Sequence, residues 1–223
     1  MPTFGFSAYL KLICLNSKPQ SREVSKRLAP QSGSGYDFHK SLRLLARRYL
    51  LEGEDALEIG KSVDKITKEA ERNSVRSGLK YLIKWRSISR GTICNFHDAV
   101  FESPSGVFKV KFAPDFGIEI GGRRTAVHIW NTKRPELDRR FVYGALALFP
   151  KIYQKMANRP DDLAVLSLRD ERLYCLSDVR DATAFGLAVA TAIEHLFQDK
   201  ARELGLPKRP PGPGPFPPFP TVP

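Results

Sequence analysis

An aspartate, an asparagine and a lysine define the chemistry that this sequence can hold. Asp115 follows Pro114 in the stretch FKVKFAPDFGIEIGGRRTAVHIWNTK, residues 108–133, and Asn131-Thr132-Lys133 close it. The stretch reads as a hairpin, with Asp115 on its first arm and the tripeptide at the end of its second. Asn131 and Lys133, two residues apart on a strand, share a face. An aspartate and a second oxygen ligand on adjacent strands can hold a divalent cation. A lysine beside them can orient or activate water and stabilise a pentacovalent phosphate, the chemistry of metal-assisted phosphodiester cleavage. Glu119, on the same arm as Asp115, is a substitute acid for the neutral Asn131. The turn decides whether these groups meet. If Gly121 and Gly122 alone form it, Asp115 faces His128, opposite the Asn131–Lys133 face. A three-residue connection or a β-bulge would bring them together. His39, His97 and His195 are scattered without ligand spacing, which argues against zinc.

The elements that would position these groups follow from periodicity. Residues 7–15, SAYLKLICL, fit a first strand or a short helix, and the polar residues 16–35, ending in QSGSG, read as a loop or linker. Asp37 is placed to cap a helix over 38–51, where Phe38, Leu42, Leu45 and Tyr49 recur at helical spacing. Further helices are expected over 54–66 and 67–86, the latter with Val75, Leu79, Leu82 and Ile83 on one face and Arg72, Arg76, Lys80 and Lys84 on another. The pattern then changes to strands at 92–103, 106–113, 115–120 and 125–133, with GGRR (121–124) as a turn. A helix is expected from Glu136 or Leu137 to Phe149, kinked or ended by Pro150. Residues 163–168 suit a buried strand, 172–178 another strand, and 182–204 a long helix whose small residues allow close packing. Proline excludes helix and central strand from PKRPPGPGPFPPFPTVP, residues 207–223, which reads as an extended or disordered tail.

This order of elements around the hairpin resembles the PD-(D/E)XK nuclease superfamily. Pro114-Asp115 match its leading PD, and Asn131-Thr132-Lys133 match its (D/E)XK tripeptide with asparagine in place of the acid. The resemblance covers residues 67–170. It implies an α/β fold with a restriction-endonuclease-like core, a mixed central sheet flanked by helices, over 67–205. Residues 1–66 would be an N-terminal helical extension and 206–223 a Pro-rich tail. It implies Asp115, Asn131, Lys133 and a first-helix glutamate, Glu71 or Glu69, as catalytic residues, with Asp115 and Glu119 holding Mg²⁺ or Mn²⁺. Arg139, Arg140 and Tyr143 on the second helix, and Arg76 on the basic face of the first, would contact nucleic acid. The implied function is a metal-dependent phosphodiesterase acting on nucleic acid, DNA included, or a degenerate relative that retains binding. The alternative is a non-catalytic interaction or regulatory protein on the same scaffold, with a protein partner.

Composition frames these expectations. The chain has 223 residues, 36 Lys+Arg against 24 Asp+Glu, and a formal net charge of +12. A chain this long buries a core without disulfides or structural metal, and 42% apolar residues argue against wholesale disorder. No run of eighteen apolar residues occurs, so a membrane span is not expected. The start, MPTFGFSAYLKLICLNSK, lacks the basic stretch and cleavage site of a signal peptide. The three cysteines, Cys14, Cys94 and Cys175, form no CxxC and no even set, which fits a reducing, cytoplasmic setting. The basic excess favours a polyanionic partner.

Overall fold

The computed structural model describes residues 1–29 and 38–206. The Asp37 cap, the QSGSG stretch and the Pro-rich tail lie outside the described residues.

Turn chemistry fixes the central hairpin. β5 (Phe116–Ile120) and β6 (Arg123–Trp130) run antiparallel with Ile120 paired to Arg123, so Gly121 and Gly122 alone make the turn. Both glycines have positive φ, 59° and 78°, which a two-residue hairpin turn of this hand demands and L side chains rarely adopt. The register then continues unbroken to Phe116 opposite Val127.

The hairpin lies inside a five-stranded sheet of order β2–β5–β6–β7–β8, with β2 at Thr92–Cys94, β7 at Asp162–Ser167 and β8 at Arg172–Cys175. β6 and β7 are parallel, and the other neighbours are antiparallel. A smaller sheet joins β1 (Thr3–Gly5), β4 (Lys109–Phe112) and β3 (Ala99–Glu102), with β1 parallel to β4. The molecule is thus a mixed α/β structure whose mixed sheet is flanked by helices.

Strand alternation divides the apolar side chains between two cores. On one face, Phe116, Ile118, Val127, Ile129, Ala164 and Leu166 meet α3 (Lys40–Leu50), α4 (Ala56–Asp64) and α5 (Glu69–Ile88). On the other, Ala126, Trp130, Leu163 and Val165 meet α1 (Phe6–Ile13), α6 (Arg139–Leu146), α8 (Thr183–Glu203) and the smaller sheet. Phe108, Val110 and Phe112 are fully buried in this second core, while Lys109 and Lys111 pair with Glu102 and Asp98 at its surface. The residues before 67 are therefore not an appendage: α1 and β1 complete one core, and α3 and α4 complete the other.

Three local readings are corrected. The polar stretch read as a loop holds α2 (Ser17–Leu28), which packs against α8 and buries only Val24, so it carries no apolar stripe to read. The single strand expected over 92–103 is two, β2 and β3, in different sheets, and Asn95 Oδ1 accepts from the Phe96 N–H between them. The helix expected from 136 starts at Arg139, where the Asp138 carboxylate accepts from the Arg140 N–H; it ends at Leu146, before Pro150, which neither kinks nor ends it but opens the short α7 (Pro150–Tyr153).

Candidate functional site

The two halves of the expected cation site lie on opposite faces of the β5–β6 hairpin. Asn131, just beyond β6, is buried on the α5 side. Its Nδ2 donates to the carbonyl (3.3 Å) and Oγ (3.2 Å) of Ser74. A Cβ placed on Gly78, one turn further along α5, would sit 3.1 Å from that nitrogen, so glycine there admits the amide. Asn131 Oδ1 is buried without a hydrogen-bond partner. Arg169 closes the site, with Nε donating to the Asn131 carbonyl (3.3 Å) and a terminal nitrogen to Ser74 Oγ (3.4 Å). Glu71, buried to 5% exposure, lies one helical turn before Ser74 on the same face of α5. Thr132 Oγ1 and His39 Nε2 are 3.4 Å apart, and Lys133 projects from the exposed loop that follows.

Asp115 points the other way. Its Oδ2 accepts from the Ile129 N–H (2.7 Å) and lies 3.1 Å from His128 Nδ1, and both side chains are buried. The paired ladder ends at Phe116 opposite Val127, and Asp115, one residue before β5, donates its N–H to the Val127 carbonyl (2.9 Å), so its contacts with Ile129 and His128 define its placement. The turn contains no three-residue connection, and at the far end Asp115 and Phe116 both meet Val127, the two-against-one arrangement of a β-bulge, with the Asp115 carboxylate still directed to Ile129 and His128. Glu119 stands opposite Arg124 in the ladder. Four residues of extended strand separate the two acids by about 13 Å, too far to share one cation bound at 2–2.6 Å. The donors left on the Asn131 face are a neutral amide oxygen and the Glu71 carboxylate. Among the described residues no group of three His, Cys, Asp or Glu side chains could hold a metal ion. The residues present do not fit the divalent centre that the resemblance implies.

The expected nucleic-acid contacts separate as well. Arg139 is exposed at the start of α6. Arg140 is exposed too, with its guanidinium 5.3 Å from the Phe185 ring. Tyr143 is buried, edge-on to Tyr174, with its hydroxyl 3.4 Å from Asp178; burial and that carboxylate hold the phenol above its ordinary pKa. It is a packing residue, because one turn of α6 carries it from the exposed face into the core. Arg76 is paired with Asp64 of α4 at 2.7 Å. Arg123 pairs with Asp162 and Arg124 bonds Asn158, at the end of β6 remote from Lys133.

Three participants went unread in the sequence. Ser74 and Arg169 touch Asn131 but carry no motif. Ser7 Oγ lies 2.6 Å from His128 Nε2, across 121 residues of chain that no local spacing could join.

No family model matches this chain, and no curated protein matches it. A solved structure described as the crystal structure of SSO0001 is similar at 15% identity, covering 82% of each chain, with a TM-score of 0.30.

Proposed function

We propose that the protein is a nuclease-like, nucleic-acid-binding protein that has lost the metal centre of the family it resembles. One observation carries this reading. Lys133, Arg134 and Arg139 crowd the exposed loop from β6 into α6, and among the described residues none of them is in an ion pair. The helical cations Arg76, Lys84 and Lys61 are by contrast matched to Asp64, Glu171 and Glu58. Unmatched cations release counterions when they meet phosphates, and that release dominates affinity for nucleic acid. Loss of catalysis is supported by the separation of Asp115 from Asn131 and by the neutral amide at the motif position.

The reading predicts that labelled DNA or RNA binds with a steep salt dependence. Changing Lys133, Arg134 and Arg139 together to serine should lower the slope of log K against log[salt] by about 2–3. Mg²⁺ or Mn²⁺ should produce no cleavage, and Asn131→Asp should not create it while Asp115 stays on the other face. Salt-independent or absent binding would overturn the reading in favour of a protein-interaction scaffold. Metal-dependent cleavage lost in Glu71→Gln would restore the phosphodiesterase reading.

A further inference from the structure

Where α1 meets the β5–β6 hairpin, a serine, a histidine and an aspartate stand in series. Ser7 Oγ is 2.6 Å from His128 Nε2, and His128 Nδ1 is 3.1 Å from Asp115 Oδ2. We propose that these residues form an acyl-transfer site that cleaves small carboxylic esters, with Ser7 as nucleophile, His128 as general base and Asp115 as the residue that positions the imidazole.

Each part has a structural cause. β6 presents His128 beside Asp115, which lies just before β5 and is held there by its N–H bond to the Val127 carbonyl (2.9 Å). The Ile129 N–H bond fixes the carboxylate, and the rings of Phe6 (centroids 5.2 Å apart, T-shaped) and Phe112 (6.2 Å, tilted) confine the imidazole. A carboxylate beside Nδ1 favours the tautomer with its proton there, which leaves Nε2 to accept from the Ser7 hydroxyl. The Nδ1 contact meets the distance of a hydrogen bond but not its direction. Such bonds in unliganded sites are often misaligned and tighten when the substrate is bound. Ser7 is half-buried at the second position of α1, directly after β1, where backbone N–H groups lack intrahelical acceptors. Those donors suit a developing oxyanion. A Cβ built on Gly5 meets nothing within 4 Å, so the chain leading into Ser7 borders open space.

The chemistry balances without a further reagent. Ser7 Oγ bonds to the ester carbonyl carbon as its proton passes to His128 Nε2. The tetrahedral adduct collapses, the carbonyl–alkoxy bond breaks, and the departing alcohol takes the proton from Nε2. Water repeats the sequence on the acyl-serine, releasing the carboxylic acid and restoring the Ser7 hydroxyl.

The test treats the folded full-length chain with a fluorophosphonate probe, locates the adduct by peptide mass spectrometry, and follows p-nitrophenyl acetate hydrolysis. The adduct is expected on Ser7 in the native chain and absent from chain unfolded in guanidinium. Ser7→Ala should abolish labelling, and His128→Gln should slow it about 10²-fold or more. Asp115→Asn should lower kcat with KM kept, a split that a merely structural role would not produce. Absence of a Ser7 adduct in the native chain overturns the proposal, even if every variant fails to fold. Equal labelling of native and unfolded chain also overturns it. Salt-dependent nucleic-acid binding is a separate readout, so either proposal can fail alone.

Discussion

The contact between Gly186 and Gly144 shows how little room a single atom leaves in this molecule. A Cβ built on Gly186 would stand 2.2 Å from the Gly144 carbonyl oxygen and 3.4 Å from its Cα, so α8 and α6 touch backbone to backbone. Backbone cannot step aside as a flexible side chain can. Gly186→Ala must therefore push the helices apart, at a cost of about 1–3 kcal/mol. The measurement is a urea titration, expected to show a lower midpoint with an unchanged m-value. An unchanged midpoint would mean that the helices part freely. Asn131 makes the opposite point. Its environment, built by Ser74, Gly78 and Arg169, holds an amide whose nitrogen finds two acceptors while its oxygen finds none. The residue type was visible in the sequence, but its partners were not, because they come from α5 and from the loop after β7.

Elements were legible in proportion to how strongly burial marked them. β7 is buried along its whole length, and its apolar run reads directly as a strand. α5 was read almost to its ends from the recurrence of Val75, Leu79 and Leu82. The alternation through Phe108, Val110 and Phe112 likewise gave β4 its buried face. α2 was missed because eleven of its twelve residues are not buried, and helix propensity without periodicity is a weak signal. That same thinness makes α2 separable. Val24, fully buried, is its only buried side chain among the described residues. Val24→Ala replaces two methyl groups with hydrogens, a loss of about 1–3 kcal/mol for a well-packed site. Hydrogen exchange should show that loss first as weaker protection over 17–28, with the β6–β7 amides retaining theirs until global unfolding. Equal loss in both would mean that α2 unfolds only with the whole molecule. The hairpin illustrates the other limit of legibility. Its two arms and its glycine turn could be read locally, whereas the face on which Asp115 falls depended on the register, with a two-residue and a longer turn both open.

At the scale of the whole molecule, the net charge of +12 is less evenly spread than composition implies. Local acids answer some helical cations, as in Arg48–Glu54 and Arg76–Asp64, while Lys133, Arg134 and Arg139 stand exposed close together in sequence. Titration below the surface runs in one direction. Burial raises the thiols of Cys14, Cys94 and Cys175 and the phenols of Tyr9, Tyr153 and Tyr174 above their ordinary values. Cys175 is pushed up from 9.0 to about 12, first by burial and then by the Asp162 and Asp178 carboxylates, against the pull of Arg123. The folded chain thus keeps protons that the unfolded chain gives up. Stability from this source is fully present below pH 9, where both states hold the Cys175 proton. It is lost as pH rises from 9 towards 12, where only the folded state still holds it. Urea midpoints should therefore be level from pH 7 to 8 and fall above pH 9. Cys175→Ala removes one of these groups and should flatten the alkaline fall, whatever it costs at neutral pH. A variant that falls as steeply as the parent would assign the alkaline loss to other groups.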